Sequence, residues 1–140
     1  MNTLRNLIQR LDIVSASPEQ SVLEVAETMN RARVGAIPIV DGDALVGLFS
    51  ERDLLTRVVV ADRDPRGTRV SDVMTHEVVT ANLDDSVDQC LDLIRRTGCR
   101  HLPVVHGGRA IAMLTMRDLL RVEVTERERE LSSLRASLAQ

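Results

Sequence analysis

The chain has 140 residues, 44% of them hydrophobic, a single aromatic side chain (Phe49), a net charge of −3 and no lysine among its basic residues. That balance gives no general attraction to nucleic acid, and the missing Tyr and Trp remove base-stacking platforms. The missing lysine excludes Schiff-base and P-loop chemistry. No apolar run approaches the ~20 residues of a membrane span, the first residues do not open a secretory signal, and Cys90 and Cys99 are too few for a disulfide framework, which together point to a reducing cytoplasm.

In chain order, Leu4, Leu7, Ile8 and Leu11 fall at helical spacing and predict an amphipathic helix over residues 1–12. Ile13-Val14-Ser15 starts a short extended segment. Ser21 followed by Glu24 is a capping box, with Val22, Val25, Ala26 and Met29 as the apolar stripe of the helix behind it. Ala36-Ile37-Pro38-Ile39-Val40 reads as a buried strand, Asp41-Gly42 as a hairpin turn, residues 44–49 as the return strand, and Glu51 as the start of a second helix. Residues 61–69, with Asp62, Asp64, Pro65 and Gly67, read as an exposed linker.

The same order then recurs. Shifted by 65 positions, residues 13–55 fall on 78–120 without a gap: Ser21-Val22 meets Ser86-Val87, Pro38 meets Pro103, and Arg52-Asp53-Leu54-Leu55 meets Arg117-Asp118-Leu119-Leu120. The second copy has its own capping box, Ser86 with Gln89, its own stripe of Val87, Cys90, Leu91 and Ile94, and a second helix from Met116. Each unit is β-α-β-β-α. Two such units predict an α+β fold in which small mixed sheets pack with helices and a pseudo-two-fold relates the copies. Proline cannot donate to a sheet ladder, so Pro38 and Pro103 are expected at an edge or strand start facing a cleft. Residues 125–140 carry alternating Glu and Arg, then Leu131, Leu134 and Leu138; they predict a charged helix that is either a solvated tail or a dimer or partner contact.

Taken together, Ile37-Pro38-Ile39-Val40-Asp41-Gly42 with Gly47-Leu48-Phe49-Ser50-Glu51-Arg52-Asp53, and again Arg100-His101-Leu102-Pro103-Val104-Val105 with Leu114-Thr115-Met116-Arg117-Asp118, resemble a pair of cystathionine-β-synthase (CBS) domains. Met74-Thr75 ahead of Val78-Val79-Thr80 is similar to the usual lead-in to a second motif. The resemblance covers about residues 8 to 125 and divides the chain into an N-terminal helix (1–12), a first motif (13–61), a linker (62–69), a second motif (70–124) and the charged helix (125–140). It implies a stand-alone regulatory module, not an enzyme, requiring no cofactor. Such pairs bind adenosine-containing ligands, report to a partner protein, and associate as two-fold disks, so a homodimer is implied. The clefts between motifs would then take an adenine nucleotide, AMP, ADP or ATP.

Ser50-x-x-Asp53 and Thr115-x-x-Asp118 lie where a strand turns into a helix. There, free N–H groups and the dipole suit phosphate, and the carboxylate can accept ribose hydroxyls. An ordinary helix cap explains the same spacing, and both roles fit one residue. Arg100 and His101, which face Gly35 and Ala36 in the other copy, suit phosphate by bidentate and pH-dependent donation. Arg52 and Arg117 either face phosphate or pair with an acid. Adenine is expected against Ile37, Pro38, Leu102 or Pro103, read by backbone near Ser15 or Thr80. Ala112 stands where the first copy has Gly47 and is expected to crowd the second site. The expected ranking is one good phosphate-bearing site (Arg100, His101, Thr115, Asp118) and a weaker one (Ser50, Asp53). Cys99, His101 and His106 lack a fourth ligand, so no metal site is expected, and no catalytic set is present. The alternative is a dimerising interaction module whose clefts are vestigial.

Overall fold

The structure, a computed structural model, describes residues 3–8 and 13–139. One five-stranded mixed sheet organises it, in the order β1-β2-β5-β4-β3. The elements follow the repeat: α1 (Leu4–Leu7), α2 (Val22–Ala32), β1 (Ala36–Asp41), β2 (Ala44–Ser50), a helix α3 that starts at Glu51–Asp53 and widens into a π-helix over Leu54–Val59, then β3 (Ala81–Asn82), α4 (Val87–Thr97), β4 (His101–His106), β5 (Arg109–Thr115) and α5 (Met116–Leu138). The two hairpins share their register faults. Ile39 pairs Gly47 while Val40 pairs Leu45, and 65 residues on Val104 pairs Ala112 while Val105 pairs Ala110. Between copies the sheet is joined where Ala44 pairs Arg109, a residue meeting its own repeat equivalent, as pairing on a two-fold axis requires.

Each motif builds its own core. Val22, Val25, Met29, Ile37, Ile39, Phe49 and Val58 fill the first; Val87, Cys90, Leu91, Ile94, Leu102, Val104 and Leu119 fill the second. The segments ahead of the motifs, however, are exchanged. Leu4 is fully buried in the core of the second motif, where the Leu4 and Arg5 N–H groups donate to Asp85 O and Leu83 O. Val70, its counterpart ahead of the second motif, is fully buried in the core of the first, and its N–H donates to Gln20 O. The linker also lies along α2, with Leu23 N–H on Pro65 O and Val22 N–H on Thr68 O, and Thr68 itself is buried.

Three local expectations are revised. The N-terminal helix is one turn, Leu4–Leu7 capped by Ile8, and Leu11 lies outside the described residues. Pro38 and Pro103 sit inside buried strands, not at their starts, but the expected edge holds for Pro38, since β1 is an outer strand of the sheet, and β3 does not reach Pro103. Each precedes by one residue the point where a short parallel neighbour begins to pair, Ala16 with Ile39 and Ala81 with Val104. The missing proline N–H therefore falls just ahead of that pairing. Lastly, the second helix of the second motif and the charged helix expected over residues 125–140 are one continuous helix to Leu138, because nothing in the alternating Glu and Arg breaks it.

Candidate functional site

In both motifs the return strand runs straight into a helix, and the residue at the junction caps it. Ser50 Oγ accepts from Asp53 N–H (3.1 Å) and Asp53 Oδ2 accepts from Ser50 N–H (3.0 Å). Thr115 Oγ1 accepts from Asp118 N–H (3.2 Å) and Asp118 Oδ2 from Thr115 N–H (2.9 Å). The capping role thus operates twice, contributing about 1 kcal/mol each time. What else each aspartate can do rests on its other oxygen.

There the copies part. Asp53 is buried, and its carboxylate is ringed by donors. Arg57 Nε lies 3.6 Å from Oδ1, and Thr75 Oγ1 lies 3.4 Å from both oxygens. The same guanidinium donates through Nη1 to Met74 O (3.0 Å) and Val73 O (3.4 Å), tying the helix to the segment that leads into the second motif. Asp118 is half-buried, and its Oδ1 meets no donor among the described residues. Val122 stands where the first motif has Arg57 and packs on the second core. The widened π turn explains how an arginine is accommodated there. An α-helix running on from Leu54 would point residue 57 toward the core; the extra residue per turn carries Arg57 to the flank and brings Val58, fully buried, inward.

His101 is paired with Thr115 across the β4–β5 register, so the Arg100-His101 pair stands at the same end of the hairpin as Thr115 and Asp118. Its ring crosses to the first motif: Nε2 would lie 3.4 Å from a Cβ at Gly35, beside the Glu51 carboxylate. Burial lowers the His101 pKa from 6.5, Glu51 partly restores it, and Arg100 lowers it further. Arg100, Arg52 and Arg117 are exposed and make no ion pair among the described residues.

The remaining expected ligand residues are dispersed. Ile37 and Leu102 are 0% exposed and belong to the two cores, and Pro38 and Pro103 are buried beside them. Thr80 is half-buried. Ser15 lines a cleft of about 380 Å³ between the motifs at the hairpin ends, with Val40 and Asp43 from one motif and His106, Arg109 and Ile111 from the other. That volume lies within the range of small-molecule sites. The Gly47 difference has a packing cause: a Cβ there would collide with Met74 Sδ, so the glycine makes room for a core methionine, while Ala112 packs on the second core. Arg57, Thr75 and Glu51 were not expected at the site; the Arg57–Val122 mismatch between otherwise matched copies was the available signal. Cys90 is buried, its thiol pushed up to about 11 chiefly by burial and also by Asp85. Among the described residues no three His, Cys, Asp or Glu side chains gather as a metal would require, and no helix is long and apolar enough to cross a membrane.

The CBS domain profile matches residues 4–60 and 70–125. An uncharacterised protein, MK0525, of Methanopyrus kandleri is 33% identical over 118 residues, which cover 83% of this chain and 60% of that one. The crystal structure of the CBS domain protein NE2398 superposes with a TM-score of 0.82 at 29% identity, covering 89% of this chain and 99% of that one. That of CBSX2 in complex with AMP superposes with a TM-score of 0.76 at 25% identity, covering 91% and 99%. The chain belongs to the CBS-domain family and carries two such domains in tandem.

Proposed function

We propose that this chain is a non-catalytic regulatory module of the cytoplasm that binds one adenine nucleotide, AMP, ADP or ATP, at the Thr115–Asp118 junction and signals its level to a protein partner. The observation that carries this reading is Oδ1 of Asp118, which meets no donor among the described residues, at the N-terminus of a 23-residue helix and at the same hairpin end as Arg100 and His101. A free carboxylate oxygen suits ribose hydroxyls, and the helix end with its adjoining cations suits phosphate. The AMP complex of CBSX2 supports the ligand class. Thermal-shift titration with the three nucleotides tests it, and a cooperative melt that no nucleotide moves would reject it. The alternative, an interaction module with vestigial clefts, draws on the internally satisfied state of Asp53.

The titration should depend on pH in a definite direction. His101 has a lowered pKa when folded, so below pH 6.5 the unfolded chain binds the additional proton and the unliganded protein loses stability as pH falls. A phosphate beside the ring favours the protonated form, so the nucleotide-induced stabilisation should grow from pH 8 to pH 6. His101→Ala should flatten that trend; an unchanged trend in this variant would remove His101 from the site.

The apolar side chains left outside support a homodimer. Leu55 and Val59 on α3 and their repeat equivalents Leu120 and Val124 on α5 are exposed, which soluble surfaces usually avoid in such matched sets. Light scattering should give twice the chain mass for the wild type and the single mass for Leu55→Arg/Leu120→Arg.

A further inference from the structure

Arg57 lies against the junction carboxylate of the first motif. Its guanidinium caps the carbonyls of Val73 and Met74 with Nη1 and lies along Asp53 Oδ1 with Nε, while Ser50 N–H and Thr75 Oγ1 cover the rest of that carboxylate. Among the described residues nothing equivalent acts on Asp118, whose motif has Val122 at the matching position. We infer that Arg57 is a built-in lock on the first cleft and sets the module's stoichiometry at one nucleotide per chain. This inference rests on the nucleotide reading above.

The lock works by charge and by hydrogen-bond capacity together. A carboxylate with one oxygen in a capping box and the other beside a guanidinium has little left to offer two vicinal hydroxyls, and a ligand would have to displace a donor that also serves two main-chain carbonyls. Those carbonyls would then lose their partner, which is costly where they are buried, and Val73 and Met74 are. The π turn belongs to the same device, since it is what turns Arg57 off the core and onto Asp53.

Binding stoichiometry with AMP, measured by calorimetry on the full chain, tests the lock. The wild type should bind one AMP and Arg57→Val two; Arg57→Gln, which keeps a donor for the Met74 carbonyl but removes the charge, serves should the valine variant fail to fold. Asp118→Asn should bind none, and Asp118→Asn/Arg57→Val should regain one. Two sites in the wild type, or one site in a cooperatively folded Arg57→Val or Arg57→Gln, would overturn the inference while leaving the nucleotide reading intact. Loss of all binding on replacing Arg57 would overturn it in a different way, making Arg57 a ligand contact. A wild type that binds nothing overturns the one-nucleotide stoichiometry, and no binding in any variant overturns the nucleotide reading as well.

Discussion

Asp118→Ala is expected to abolish the rise in melting temperature that an adenine nucleotide gives the wild-type protein. Ligand at about 100 times its dissociation constant adds about 2.7 kcal/mol, on the order of 10 °C for a chain of this size. The substitution also removes a helix cap, which costs about 1 kcal/mol and lowers the baseline by a few degrees. Asp118→Asn separates the two effects. Its amide oxygen can still accept from Thr115 N–H, whereas the uncommitted Oδ1 becomes a donor and no longer takes a ribose hydroxyl. Asp53→Ala should lower the baseline further, because Ser50 and Thr75 lose an acceptor and Arg57 its counter-charge, yet leave the nucleotide rise in place. A rise lost in Asp53→Ala and kept in Asp118→Ala would invert the assignment.

Phe49→Ala is expected to cost about 3–5 kcal/mol, a large share of the 5–15 kcal/mol that holds a typical domain together. Phe49 is the only aromatic residue of the chain and is 0% exposed, within the core formed by Val22, Val25, Ile37, Ile39 and Val58. No larger side chain is at hand to fill the space, and the sheet on one side and α2 on the other limit collapse. The second motif solves the same position with Leu114, so Phe49→Leu should cost less than about 1.5 kcal/mol. Urea unfolding followed by circular dichroism distinguishes the two, and a loss below 1 kcal/mol for alanine would mean that the cavity closes.

The repeat made the fold legible because each copy obeys the local rules twice: a Ser cap before a 3.6-residue stripe, then two strands about a glycine turn. Even the end of the first helix repeats, with Arg33 adopting φ 58° where the second copy places Gly98 at 73°. Hidden from sequence was everything decided by partners far along the chain. Leu4 reads as one stripe residue of a helix, and only the fold shows its stripe buried against α4 and β3 of the second motif. Ile37 and Leu102 look like cleft walls because they flank prolines, but a strand covered on both faces turns them into core. At the site, the two junctions were visible from Ser50, Asp53, Thr115 and Asp118. Their inequality was not, since it depends on a guanidinium that the π turn carries out of register with the repeat.

The exchanged lead-in segments also fix how the molecule bears load. Tension applied at residue 3 is taken up first by the second motif, at Ser86 and Leu83 and by Leu4 in its core. Tension on the 70–75 segment is taken up by the first motif in the same way, through Gln20 and Leu48. Each half is therefore latched by chain that belongs to the start of the other, and pulling the halves apart from that chain opens both latches before it separates the bodies.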